Sequence, residues 1–230
     1  MRKRIFIFLF YALCMHFNEA LSLEMQSAFD NQSIFAKVSA NSLNRIFVTH
    51  DRIQSVRGID GTYQLIEDPK TGNIYLKTSF KPFNLFITTE GGHTYNLFLT
   101  PIAIPAETVQ INPLSPNKKL AENFEKNTPF IKAITLLMTG MLNGDAPIGY
   151  AIVPIKQAPH KLSRIFTIQL KTLFQGVHLQ GQIWEIKNKV CRPIALVLPK
   201  FYFPGVRALA LKSEVLPSCG VTMLYRVASL

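Results

Sequence analysis

Val38-Ser39-Ala40-Asn41-Ser42-Leu43-Asn44-Arg45-Ile46-Phe47-Val48, with Asp51-Arg52-Ile53-Gln54-Ser55-Val56-Arg57-Gly58 close behind, decides how the first half of this 230-residue chain is read. Each stretch sets a polar-Arg-Ile step in a short run of β-formers, and a polar turn joins the two. Outward from here the rhythm repeats. Ile34, Ala36 and Val38 alternate with Phe35, Lys37 and Ser39; Phe83, Leu85 and Ile87 alternate with Asn84, Phe86 and Thr88; Tyr95, Leu97 and Leu99 alternate with Asn96, Phe98 and Thr100. A period of two belongs to strands with one buried face. Asp60-Gly61, Asp68-Pro69, Thr71-Gly72-Asn73 and Glu90-Gly91-Gly92 supply turns between the runs. Short strands broken by turns every eight to twelve residues or so predict an all-β sandwich or open barrel over residues 23–112.

Upstream, Arg2-Lys3-Arg4 precede an apolar run from Ile5 to Met15, and Ala20-Leu21-Ser22 offers a small-x-small cleavage site. These are the parts of a secretory signal peptide over residues 1–22, with cleavage after Ser22 favoured over Ala20 because Asn18 would stand at the minus-three position of the latter. The run is shorter than the roughly 20 apolar residues a membrane-spanning helix needs, and no later segment is long and apolar enough to span. A short hydrophobic first strand is the other reading of this run. Leu13 stands where a lipoprotein box before Cys14 would have a small residue. Export leaves Cys191 and Cys219 as an even pair in an oxidising space. A bridge across their 28-residue separation would stabilise by about 3–4 kcal/mol. Two unpaired buried thiols remain open at this point.

Downstream, Pro101, Pro105, Pro113 and Pro116 interrupt the alternation, so an inter-domain linker is expected over residues 113–127. Thr128-Pro129 then opens a helix over 128–143, with Phe130, Ile131, Ile134, Leu137, Met138, Met141 and Leu142 at helical spacing and Gly144 to end it. Its stripe suits packing on its own domain; a partner-docking face is the alternative. The remainder of a C-terminal domain, 128–230, reads as β again. Val177 and Leu179 set one phase and Trp184 and Ile186 the other, which predicts a bulge near Gly181. Two β-sandwich or barrel-like domains joined by a proline-rich linker and one helix are expected.

Charge is uneven. Residues 23–115 carry seven Lys/Arg against eight Asp/Glu, whereas residues 151–230 carry eleven against only Glu185 and Glu214, a net charge of about +9. Such a surface suits an acidic partner protein, phospholipid headgroups or nucleic acid in transit; a solvated lysine-rich face is the bland alternative. Phe201, Tyr202 and Phe203 near Lys200 alternate about the strand, so they do not form one stacking platform, and no specific nucleic-acid binding is expected. His50, His93, His160 and His178 are scattered without an acidic partner at recognisable spacing, and no nucleophile elbow, phosphate loop or zinc helix occurs. Glu90-Gly91-Gly92-His93 fits a hairpin turn better than an anion nest. Neither an enzyme, a cofactor nor a metal site is expected.

The order Asn44-Arg45-Ile46, Arg52-Ile53, Thr71-Gly72-Asn73-Ile74-Tyr75, Glu90-Gly91-Gly92, Ile104-Pro105-Ala106-Glu107-Thr108, and then Pro147-Ile148-Gly149-Tyr150, resembles the TraK family, the secretin-like proteins of F-type conjugative type IV secretion systems. Trp184-Glu185-Ile186-Lys187-Asn188 and Phe201-Tyr202-Phe203-Pro204-Gly205-Val206 resemble its later signals. Leu216-Pro217-Ser218-Cys219-Gly220 departs from it, with an extra residue before the glycine. The resemblance implies a structural part of an outer-membrane core complex, needed for pilus assembly and DNA transfer. It further implies a periplasmic protein peripheral to the outer membrane, a homo-oligomeric ring, and two partners, a TraV-like lipoprotein and a TraB-like scaffold. Trp184, Asn188, Phe201, Phe203, Pro204 and Gly205 are the expected lipoprotein contact. A monomeric periplasmic chaperone or ligand-binding sandwich is the alternative.

Overall fold

The computed structural model describes residues 23–230, so the leader expected over 1–22 lies outside the described residues. Nine strands come first: β1 (Leu23–Ala28), β2 (Ser33–Ser39), β3 (Asn44–Val48), β4 (Ile53–Gly58), β5 (Tyr63–Asp68), β6 (Asn73–Thr78), β7 (Phe83–Thr89), β8 (Thr94–Ile102) and β9 (Thr108–Pro113). They form two sheets, ordered β1-β9-β3-β6-β5 and β2-β8-β7-β4. The residues that alternate inward in the sequence are those that fill the space between them. Ile34, Val38, Leu85, Ile87, Tyr95 and Leu97 from one sheet meet Ile46, Ile74, Leu76, Val109 and Ile111 from the other in one core. The outward set, Phe35, Phe86 and Phe98 among it, stays exposed.

Three pairings in these sheets, β1 with β9, β3 with β9 and β2 with β8, are parallel. Pro101 lies inside β8 instead of ending it. β7 pairs with β8 only as far as Leu99, so beyond that point β8 has a neighbour on one side alone and a missing N–H is tolerated.

The segment expected as a linker holds a helix. α1 (Lys118–Asn127) begins where the Asn117 side chain accepts the Leu120 N–H at 3.2 Å, and it stops before Thr128-Pro129. Its composition is polar, and a narrow apolar stripe of Ala121, fully buried, with Phe124 packed beside it faces the C-terminal core. α2 (Phe130–Asn143) follows and ends on Gly144, whose φ of 76° suits glycine. α2 turns Ala133, Leu137 and Met141 into its own domain and leaves Phe130, Ile131 and Leu142 exposed.

The C-terminal strands are β10 (Ala151–Pro154), β11 (His160–Lys161), β12 (Phe166–Gln175), β13 (Leu179–Asn188), β14 (Ile194–Ala195), β15 (Val206–Leu211), β16 (Val215–Leu216) and β17 (Val221–Ser229). The main sheet is ordered β10-β12-β13-β17-β15, with β11 on β12, and β14 pairs with β16 separately. α1 and α2 cover one face, where Phe174, Leu179, Ile183, Tyr225 and Val227 meet Leu137 and Met141. The β14–β16 ribbon and a 3-10 turn over Leu198–Phe201 cover part of the other, where Ile186 and Leu224 meet Leu196, Phe201 and Leu216.

This two-sided cover explains the phase switch in β13, and it corrects the expected bulge near Gly181. β13 runs without interruption; it buries odd residues under the helices at one end and even residues under the ribbon at the other. The irregularity sits across from it in β12, where Leu170 pairs with Trp184 but Thr172 with Ile183, leaving Lys171 as the extra residue. That insertion lets the even residues Phe166 and Ile168 serve one face and Phe174 the other.

Cys191 and Cys219 are disulfide-bonded, with Cα atoms 5.0 Å apart. They tie the β13–β14 connection to the turn before β17. By the loop-entropy argument, a Cys191→Ser/Cys219→Ser variant is expected to lose about 3 kcal/mol from the C-terminal domain. Urea unfolding followed by the lone tryptophan, Trp184, checks this, since that residue lies in the same domain.

Candidate partner interface on the C-terminal domain

The ribbon and the 3-10 turn do not cover the whole outer face of the sheet. Gln182, Trp184 and Ile186 share that face on β13, and Arg226 and Leu224 share it on β17, with Gln182 directly opposite Arg226. Ile186 and Leu224 are roofed over, whereas beyond the roof Phe203 reaches across from the loop before β15. The Arg226 guanidinium lies 5.1 Å from the Trp184 ring centroid and 5.8 Å from that of Phe203, so it is flanked by two aromatic rings.

One amide oxygen organises the group. Arg226 Nε donates to Gln182 Oε1 at 2.7 Å, Trp184 Nε1 donates to the same atom at 2.9 Å, and a terminal Arg226 nitrogen donates to it as well. Gln182 is itself buried. Burial holds the Arg226 pKa below the ordinary arginine value. The group remains cationic, since arginine does not lose its proton in proteins.

The six residues expected at the partner contact separate into two sets. Trp184 is half-buried and Phe203 is 48% exposed, and both stand on the Arg226 surface. Pro204 and Gly205 form the turn that presents Phe203: Val206 N donates to Phe203 O at 3.1 Å, and Gly205 has a φ of 90°. Asn188 and Phe201 are inside. Asn188 Nδ2 donates to the carbonyls of Arg192 and Pro217, both at 2.8 Å, while its oxygen accepts the Val190 N–H, so it braces the disulfide loop. Phe201 packs under the 3-10 turn against Phe166. Arg226 and Gln182 belong to the surface although alternation alone did not single them out. The available signal is a lone cation inside the apolar run Met223-Leu224-Tyr225-Arg226-Val227-Ala228.

The motif residues outside this surface hold the framework. Asn44 is fully buried and hydrogen-bonds two amides and three carbonyls around β3. Ile46 is core, and Arg45 lies over the Phe47 ring at 4.5 Å. Arg52 donates to Glu90 and to the carbonyls of Pro69 and Lys70, which locks the turn after β5 to the β7–β8 hairpin, and Ile53 packs at the core edge. Glu90 N donates to Arg52 O and Gly91 N to Asp51 Oδ1, so both amides are engaged by the protein's own oxygens and the stretch is a hairpin turn. In the C-terminal domain, Tyr150 donates to Glu125 of α1 at 2.7 Å, and Gly149 lies against the α1 backbone. Burial and that carboxylate push the Tyr150 pKa up. No group of three or more His, Cys, Asp or Glu at metal-binding distance occurs among the described residues, nor does a helix long and apolar enough to cross a membrane.

Residues 27–123 match the family model of the TraK N-terminal domain, and residues 121–228 match that of the TraK C-terminal domain. The chain belongs to the TraK family. The junction between the two matched regions falls within α1. The TraK lipoprotein of Escherichia coli (strain K12) is 26% identical over 178 residues, which cover 75% of this chain and 72% of that protein. Membership carries a role related to conjugative transfer and type IV secretion, in a family of structural and assembly proteins.

Proposed function

We propose that this TraK-family protein is a structural component of the outer-membrane core complex of an F-type conjugative type IV secretion system, needed for pilus assembly and DNA transfer. The observation that carries the proposal is the match to both TraK domains in order across residues 27–228. The chain would be exported behind its leader and would act in the periplasm, peripheral to the outer membrane. A TraV-like lipoprotein would dock on the C-terminal domain at Trp184 and Phe203, a TraB-like scaffold would join the assembly, and copies of the chain would close into a ring.

The fold is compatible with such assembly. Each of the three larger sheets ends in edge strands. Those at β1 and β5, β4, and β10 and β15 are open, whereas Glu24 and Gln26 of β1 engage backbone groups of β2; unpaired backbone groups at an edge can accept a strand from a neighbour. Head-to-tail contacts whose rotation closes make rings. A tryptophan and a phenylalanine around an arginine have the composition of an interface hot spot.

The double variant Trp184→Ala/Phe203→Ala is expected to abolish co-purification of the small lipoprotein from the source cell envelope while the periplasmic level of the protein is kept. Undiminished capture by the folded variant would remove this surface from the contact. The alternative reading, a monomeric periplasmic chaperone or ligand-binding protein, predicts one-to-one complexes with soluble subunits.

A further inference from the structure

Arg226 is a cation without an anion among the described residues. A guanidinium has five N–H donors. Only Nε and one terminal nitrogen have acceptors among the described residues, both in Gln182 Oε1. The ion pairs of the described residues are Arg52–Glu90, His93–Asp30 and Lys126–Glu122, and Arg226 joins none of them. Strand alternation is the reason for one near miss. Glu185 is next to Trp184 in sequence, yet it projects from the helix-covered face, opposite to Gln182, Trp184 and Arg226.

Half-buried charge left unpaired is costly, and here it is held in place by neighbours that cannot neutralise it. Trp184 and Phe203 flank the guanidinium plane, and the Gln182 oxygen fixes one edge of it. The other edge keeps N–H donors in a planar fork, the geometry that takes a carboxylate through two parallel hydrogen bonds. The fork alone would also fit a phosphate, but a phosphate backbone is bound by several cations spread along a surface, and this group presents one. A single oriented guanidinium beside a half-buried tryptophan and an exposed phenylalanine suits one carboxylate with apolar neighbours.

We propose that Arg226 is the receptor for a carboxylate side chain on a partner polypeptide, with Trp184 and Phe203 gripping the apolar residues beside it, an assignment that rests on this face being the partner contact. In the free protein the fork waits for that group. Region 151–230, at about +9, adds long-range attraction for an acidic segment.

Trp184 is the only tryptophan of the chain and lies against the guanidinium, so its emission reports occupancy directly. The full exported chain is titrated with two nonapeptide pools, randomised except for a fixed central Glu or a fixed central Gln. The Glu pool is expected to shift Trp184 emission saturably, and the Gln pool to need at least about tenfold more peptide. Arg226→Gln is expected to remove the preference for Glu. Arg226→Lys, which keeps the charge without the fork, is expected to weaken binding of the Glu pool about tenfold while its urea midpoint confirms folding. Equal titration by the two pools, titration by neither, or an unchanged preference in Arg226→Gln would overturn the proposal. So would a saturable shift given instead by phosphatidylglycerol vesicles or an oligothymidylate, which would make the site a phosphate site. If Trp184→Ala/Phe203→Ala loses the lipoprotein and Arg226→Gln keeps it, the carboxylate assignment fails and the contact stands; if both variants keep it, the contact itself fails.

Discussion

Asn44→Ala is expected to destabilise the N-terminal domain by about 4–5 kcal/mol, a loss at the upper end of what single substitutions do. Asn44 Oδ1 accepts the Ser39 N–H at 2.7 Å and the Glu107 N–H at 3.2 Å, while Nδ2 donates to the carbonyls of Ser39, Ser42 and Leu76. One side chain thereby joins the end of β2, the turn into β3, the strand β6 and the approach to β9. Alanine would take the side-chain acceptor from two buried amides, Ser39 N and Glu107 N, and a donor from the Leu76 carbonyl, while the Ser39 carbonyl would keep the Thr78 hydroxyl. Each buried orphan costs about 1–3 kcal/mol before relaxation. Hydrogen exchange read by mass spectrometry locates the effect. Protection over residues 39–48, 73–78 and 107–111 should fall about a thousandfold, the factor that corresponds to about 4 kcal/mol, with the Trp184 urea transition of the other domain unmoved. A loss below about 1 kcal/mol would mean that water replaces the amide.

Gly149→Ala is expected to cost the C-terminal domain about 4 kcal/mol. Gly149 has a φ of 84°, and a Cβ there would overlap Ala121 N and stand 2.7 Å from the Leu120 carbonyl carbon, both backbone atoms of α1. Backbone in a helix cannot step aside locally, so α1 would have to move as a unit. With it would go Glu125, whose carboxylate accepts the Tyr150 hydroxyl at 2.7 Å and the N–H groups of Val177, His178 and Leu179 at 3.0, 2.8 and 3.3 Å. These bonds fasten α1 to the β12–β13 hairpin. Gly144 provides the control. It has a similar φ, 76°, but nothing within 4 Å of an added Cβ, so Gly144→Ala should cost only the left-handed strain of about 1–2 kcal/mol. A Trp184-monitored urea titration compares the two; equal losses would show that backbone strain alone, and not the contact with α1, makes Gly149 necessary.

The strands of the first half were legible because each has one wet and one dry face, and Ile34, Leu85 and Leu97 advertise it in their spacing. The partner of each strand was not legible. Parallel pairs such as β2 with β8 join segments about 60 residues apart, and alternation carries no information about distance along the chain. α1 was hidden by its composition: Leu120, Ala121 and Phe124 have helical spacing, but they stand among charged residues just after a cluster of prolines. β13 misled because a single phase of alternation presumes a single buried face, whereas this strand is covered on both. The partner surface was half legible for a related reason. Trp184 and Phe203 belong to recognisable stretches, but Asn188 and Phe201, their neighbours in the same stretches, turned out to be braces of the fold. Arg226 becomes visible only once β17 is paired with β13 and the guanidinium is found in none of the ion pairs of the described residues.

If this TraK-family chain works as a repeated part of an envelope channel, complexes extracted from the source cell envelope in mild detergent have a native mass far above that of a single copy. A megadalton-scale particle containing many copies of the chain, a small lipoprotein and a TraB-like scaffold is the predicted result. A free periplasmic monomer, or a one-to-one complex with a soluble subunit, would contradict it and leave the chaperone or binding-protein alternative in its place.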